Sequence, residues 1–199
     1  MTVPSPRRAD RTAPVRRWQL AQAARCVKAG GIIAYPTEAV YGLGCDPRDG
    51  AAVLRLLALK QRPLSKGLIL IAARFEDLQP YIATLAAETR SKVRKTWPGP
   101  VTWLLPARSE VPYWLRGSHA ALAVRVTAHP LAAALCRACG GVLVSTSANI
   151  SSRPPTRTAL AVRRCFGTDV DYVLSGAVGG LAKPTPIIDA HSGKLVRAA

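Results

Sequence analysis

Three short stretches of the chain combine cations, hydroxyls and glycines in patterns suited to holding anions. The run KQRPLSKG (60–67) places Lys60, Arg62 and Lys66 within seven residues, just beyond an apolar helical segment. An arginine there can grip a phosphate with its planar fork, and a lysine can do so as a point charge. The run STSAN (145–149) offers the hydroxyls of Ser145, Thr146 and Ser147 and the amide of Asn149 at the carboxyl end of an apolar strand, VLVS. Such groups can coordinate phosphate oxygens or a ribose. The run AYPTEAVYGLGCD (34–46) sets Thr37, Glu38 and Tyr41 between Pro36 and the glycines Gly42 and Gly44. Pro36 biases Tyr35 toward an extended backbone, and the glycines allow approaches that a side chain would forbid. Two further positions belong with these. WPGPVTW (97–103) stiffens the chain with two prolines and presents Thr102 at a strand start, and Arg125 lies inside the apolar run LAVRV. A buried arginine needs an anionic or hydrogen-bonding partner. The plainer alternatives are a self-satisfied connection at 34–46 and a solvated helix end at 60–67.

Other chemistries find little support. There is no GxxxxGK[ST] phosphate loop and no GxSxG, and GLGCDP has Pro47 where a dinucleotide fingerprint would need its third glycine. His119, His129 and His191 show no metal spacing and read as structural. Cys136 and Cys139 form a CxxC inside an apparent helix without a second pair, which favours helix packing over thiol redox chemistry.

These residues must be positioned by a single globular unit. The chain has 199 residues, 49% of them hydrophobic, which is enough for a substantial core. No apolar run approaches the roughly 20 residues that span a bilayer, and the N-terminus has arginines without an apolar signal region. Five cysteines, an odd count, favour reduced thiols over a disulfide framework, so a cytoplasmic protein is expected. The net charge of +17 attracts polyanions such as RNA as well as small anionic substrates.

Residues 1–16, rich in proline and arginine, are expected to form a flexible basic arm, and residues 17–199 the folded domain. Helices are predicted over 18–31, 49–62, 84–97, 129–141 and 158–166. Strands are predicted at IIAY, LILIAA, VTWLLP, LAVRV, VLVS and DYVL, followed by a terminal hairpin of IIDA and KLVR. The alternation implies an α/β fold with a twisted, open, mixed parallel and antiparallel sheet flanked by helices.

PTEAVYGLG, KQRP, PGPVT, AVRV, HP and STSAN, in this order and at these spacings, resemble the YrdC family, and most closely its bacterial short form. The resemblance covers residues 18–199. It implies a YrdC-like fold in which the PTEAVYGLG segment helps wall a cavity for L-threonine and ATP. It also implies the family's reaction, in which L-threonine, bicarbonate or carbon dioxide, and ATP give threonylcarbamoyl-AMP and pyrophosphate. A separate threonylcarbamoyl-transferase complex then carries the group to adenosine 37 of tRNAs that read ANN codons.

On that basis Thr37, Tyr41 and Arg125 are assigned to L-threonine. Lys60, Arg62, Lys66, Thr102, Ser145, Ser147, Asn149 and Thr185 are assigned to ATP. All the substrates are anions, so catalysis would rest on gathering them and neutralising charge at the α-phosphorus, with no covalent nucleophile. Carboxylates are scarce, so Mg²⁺ would be held mainly through ATP. Departures from the family pattern are Lys66 where many members have asparagine, Ile71 where longer members have histidine, and Pro186 where a Ser-Thr pair is common. The longer members also carry a further C-terminal domain that is not expected here. The competing reading is a non-catalytic module for tRNA or double-stranded RNA, or for ribosome maturation, binding through the basic surface.

Overall fold

The computed structural model describes residues 13–151 and 153–198. In chain order its elements are α1 (Ala13–Lys28), β1 (Ile33–Pro36), β2 (Tyr41–Gly44), α2 (Gly50–Leu59), β3 (Ile69–Ala72), α3 (Phe75–Leu78), α4 (Ala87–Thr96), β4 (Thr102–Pro106), α5 (Tyr113–Arg116), β5 (Ala121–Val126), α6 (Pro130–Cys139), β6 (Val142–Ser147), α7 (Ala159–Phe166), β7 (Tyr172–Val173), β8 (Ile187–Asp189) and β9 (Leu195–Arg197). Local chemistry sets several of the boundaries. Asp49 accepts from the Ala52 amide at 3.0 Å and caps α2, and Thr158 caps α7 in the same way. His129 Nδ1 accepts from the Ala132 amide at 3.3 Å to cap α6, Pro130 occupies its first turn, and Gly140 ends it with φ of 101°.

Two expectations change. Helix α1 begins at Ala13, inside the stretch assigned to the arm; residues 1–12 of that arm lie outside the described residues. The segment after Pro36 is not a connection but a hairpin whose second strand is β2, paired antiparallel with β1 from Ile33↔Gly44 to Pro36↔Tyr41. Gly44 is required there because a Cβ would lie 2.4 Å from the Val144 carbonyl oxygen.

The strand order is β7-β1-β2-β6-β3-β5-β4-β8-β9. The β1/β7, β3/β5 and β4/β8 pairs are parallel and the rest antiparallel, so the sheet is mixed, as the alternation of elements predicts. Strand alternation sends successive side chains to opposite faces. On one face Ile32, Ala34, Leu43, Leu70, Val124 and Val144 pack with α2, α4, α5 and α7. On the other, Ile33, Tyr35, Ile71 and Leu143 pack under Ala23, Ala24 and Val27 of α1 and Leu135, Cys136 and Cys139 of α6. Those two helices cover only part of the second face, and the uncovered part holds the site.

Candidate functional site

The register across the sheet aligns Leu104, Ala123, Ile69 and Ser145 in one row on the second face, with Gly42 opposite Ser147 beside it. Small side chains at Gly42, Ala121, Ala123, Ser145 and Ser147 keep this floor low. Above it is a cleft of about 750 Å³, within the roughly 300 to 1,000 Å³ typical of small-molecule sites. Because the sheet is mixed, the cleft lies over the carboxyl end of β6 but over the amino-terminal halves of β3 and β5.

Arg125 stands one step further along β5, opposite Ile71, where the open floor meets the core under α6. It is 4% exposed and makes the contacts that burial demands. One terminal nitrogen donates to the hydroxyls of Thr102 at 3.1 Å and Thr185 at 2.9 Å. The other lies 3.4 Å from Glu38 Oε2. The opposite carboxylate oxygen, Oε1, accepts from the Thr127 hydroxyl at 2.6 Å and the Ala128 amide at 3.2 Å. Burial alone would push the Glu38 carboxyl up, but Arg125 and these hydrogen bonds outweigh it and hold it below the usual carboxylate range. Glu38 Oε2 and Arg125 Nε are buried without a hydrogen-bond partner.

An irregular strap leading into β8 closes this end. The Tyr41 hydroxyl donates to the Gly176 carbonyl at 2.7 Å and accepts from the Gly176 amide at 3.0 Å. His129 Nε2 pairs with the Ala177 carbonyl at 3.0 Å. The Gly179 amide donates to Thr37 O at 2.8 Å, and the Arg157 guanidinium donates to Leu181 O and Ala182 O, each at 3.1 Å. The strap delivers Thr185 to Arg125.

The other end is a rim of two loops joined by their backbones. Leu68 N donates to Leu115 O at 2.8 Å and Ser118 N to Ser65 O at 3.2 Å. Gly67 and Gly117 make this approach possible. With φ of 59° and 60°, each would set a Cβ 2.8 Å or less from a carbonyl of the opposite loop. Arg62 donates to Gly67 O from Nε at 3.2 Å and from one terminal nitrogen at 2.9 Å; among the described residues its other terminal nitrogen has no hydrogen-bond partner. Lys66 and Arg116 line the cleft beside it. Arg197 lies between the two ends and donates to Thr185 O at 2.8 Å. Burial, then the charges of Arg125 and Arg62, pull its guanidinium pKa down. Among the described residues five cations line the cleft, and no Asp or Glu does.

Of the residues singled out from sequence, Thr37, Tyr41, Arg62, Lys66, Arg125, Ser145, Ser147 and Thr185 line this cleft. Lys60, Thr102 and Asn149 stand behind its wall. The Lys60 ammonium, 3% exposed, donates to the carbonyls of Ser147 and Asn149, the latter at 2.7 Å. Burial and the nearby Arg62 charge lower its pKa to about 8. Asn149 accepts from the Ser147 hydroxyl and donates to Arg153 O at 2.6 Å, so its amide braces the loop. Thr185, assigned to the nucleotide from sequence, is bonded to Arg125 at the closed end of the cleft. Sequence reasoning missed Arg116 and Arg197, and it read His119, now on the rim, as structural. Neither arginine has a local signal, because each arrives through long-range pairing of strands and loops. Cys136 and Cys139 are buried, and burial pushes both thiols up, Cys139 to about 12, so neither is a reactive thiolate.

The Sua5_yciO_yrdC family model, described as "Telomere recombination", matches residues 25–199. A threonylcarbamoyl-AMP synthase of Nitrosococcus oceani is 59% identical over 180 residues, covering 90% of this chain and 97% of the relative. One from Halorhodospira halophila is 56% identical over 182 residues, covering 92% and 95%. Among solved structures, P. abyssi Sua5 complexed with L-threonine aligns with a TM-score of 0.82 at 32% identity, covering 86% of this chain and 51% of that one. The chain therefore spans about half the length of that protein.

Proposed function

The chain belongs to the Sua5/yciO/yrdC family, and on that premise we propose that its cleft joins L-threonine, bicarbonate or carbon dioxide, and ATP into threonylcarbamoyl-AMP and pyrophosphate. It is an ATP-dependent nucleotidyltransferase. The bacterial synthases that it matches over nine-tenths of its length leave no support for a purely RNA-binding module. The observation that carries the reading is the cleft's charge, five cations without a lining carboxylate, which suits substrates that are anionic.

Within the cleft, Arg125 with Thr37 and Thr185 takes the carboxylate and hydroxyl of threonine. Tyr41 contributes the edge of its ring, because its hydroxyl holds Gly176. Arg62 and Lys66 take phosphate oxygens, and Ser145 and Ser147 the nucleotide side of the floor. Lys60, Thr102 and Asn149 act by holding those groups in place. The threonine amino nitrogen adds to the carbon of carbon dioxide, which bicarbonate yields with loss of hydroxide, and gives up a proton to solvent to leave a carbamate. A carbamate oxygen then attacks the α-phosphorus, the α–β phosphoanhydride breaks, and pyrophosphate leaves with the bonding electron pair. Oriented cations neutralise the charge that develops.

Among the described residues no three His, Cys, Asp or Glu side chains cluster as a metal site. The donor set fits Mg²⁺ that enters on ATP, where it supplies charge neutralisation at the phosphates. A separate transferase complex consumes the product, and the protein acts in the cytoplasm. No described helix is long and apolar enough to cross a membrane. The exposed cations Arg90 and Lys95 on α4 are part of the +17 charge, and tRNA or double-stranded RNA binds to that basic surface as an accessory partner, more weakly as salt rises. The test is pyrophosphate release, which should require L-threonine, bicarbonate, ATP and Mg²⁺ together. Equal release with glycine, or without any amino acid, would refute the reading.

A further inference from the structure

We propose that Arg116 completes, with Arg62 and Lys66, a subsite for pyrophosphate at the rim of the cleft. The inference rests on the ATP-dependent reading above. Three cationic residues line the rim there because the backbone brings the two loops that carry them together around Gly67. The Arg62 guanidinium is bonded to Gly67 O at 2.9 Å and to Lys66 O at 3.4 Å. A Cβ on Gly67 would lie 2.8 Å from Arg116 O, so the arginine-bearing turn sits directly against it.

Arg116 is fixed from behind and open in front. Its Nε donates to Val111 O at 3.4 Å, and one terminal nitrogen donates to His119 O at 3.2 Å. Among the described residues the other terminal nitrogen has no partner, and the residue lines the cleft. None of the three cations is in an ion pair among the described residues, unlike Arg125, which has Glu38. Three cations on one rim without a carboxylate partner form a positive surface that a compact, highly charged anion complements. Of the reaction's participants, pyrophosphate and the β- and γ-phosphates of ATP carry the densest negative charge. Placed here, Arg116 would hold the leaving group as its charge grows, when the α–β anhydride breaks.

Product inhibition separates this subsite from the rest of the cleft. In Arg116→Ala the inhibition constant for pyrophosphate should rise about 10- to 100-fold, as expected for one lost charge-assisted contact. Inhibition by AMP, which lacks the outer phosphates, should change less than about twofold, and Arg116→Lys should restore part of the loss. If the alanine variant does not fold, Arg116→Gln keeps a donor for the Val111 or His119 carbonyl and serves in its place. An unchanged pyrophosphate constant, or equal weakening of pyrophosphate and AMP, would overturn the proposal. Calorimetric titration of the wild-type protein with Mg-pyrophosphate gives an independent reading. Pyrophosphate binding that Arg116→Ala weakens, without threonine-dependent turnover, would sink the synthase reading and leave the subsite standing. Normal turnover with an unmoved pyrophosphate constant would do the reverse.

Discussion

The two ends of the cleft use the same residue type in opposite ways. Arg125, at the closed end, is 4% exposed and is held by a carboxylate and two hydroxyls. Arg62, at the rim, is half-buried and held only by backbone carbonyls, which fix its position without neutralising its charge. The closed end thus offers shape, hydroxyls and a compensated cation, which suits a small amino acid. The rim offers uncompensated charge, which suits phosphates. Burial explains the contrast, because a fully desolvated guanidinium without a carboxylate would cost several kcal/mol.

Breaking the pair at the closed end should have the largest effect. Glu38→Ala leaves Arg125 buried and unpaired and should cost about 3 to 5 kcal/mol of stability in denaturant titration. The Glu38 carboxyl is held below its usual range in the folded state. Its contribution is therefore complete above the unfolded value of about 4.3 and is lost as pH falls through the lower folded value. Acid titration of unfolding should show that limb in the wild type and lack it in the variant.

At the rim, stability and activity should separate. Arg62→Ala should slow threonine-dependent pyrophosphate release roughly 10- to 150-fold at subsaturating ATP. Its unfolding free energy should move by no more than about 1 kcal/mol. Arg62→Lys should recover only part of the loss, because an ammonium cannot present two parallel donors.

Lys60, behind the wall, should give a smaller effect that depends on pH. Its folded pKa of about 8 lies below the unfolded value of roughly 10.4. Between these values the unfolded chain binds more protons, so this group's contribution makes stability rise with pH. Binding should show the opposite trend. As the ammonium loses its proton above pH 8, its bonds to the Ser147 and Asn149 carbonyls lose their charge assistance and weaken, and ATP affinity should fall. A calorimetric series from pH 7 to pH 9.5 should show that decline in the wild type and none in Lys60→Gln.

Much of this arrangement was legible in the sequence where local chemistry decides it. The helices and their stops, the apolar strands, and the cation- and hydroxyl-rich runs at 60–67 and 145–149 follow from periodicity, turn residues and charge. Strand β2 did not, because YGLG has two glycines, which read as a turn, and only the approach of Val144 O explains them. Lys60 shows a signal that was overlooked. It continues the stripe of Val53, Leu56 and Leu57 at helical spacing, so the period of α2 turns it inward and its burial can be read from the sequence. Glu38 as the partner of Arg125, and Arg116 and Arg197 as cleft residues, depend on pairings distant in sequence that no local pattern carries.

The division between the two ends can be tested most directly by titrating L-threonine and ATP separately into the wild type, Thr37→Val and Arg62→Ala. Thr37→Val should weaken threonine binding and leave ATP affinity within about twofold, and Arg62→Ala should do the reverse, by about 10-fold or more. If each variant weakened both ligands to the same extent, the separation of an amino-acid end from a phosphate end would be wrong.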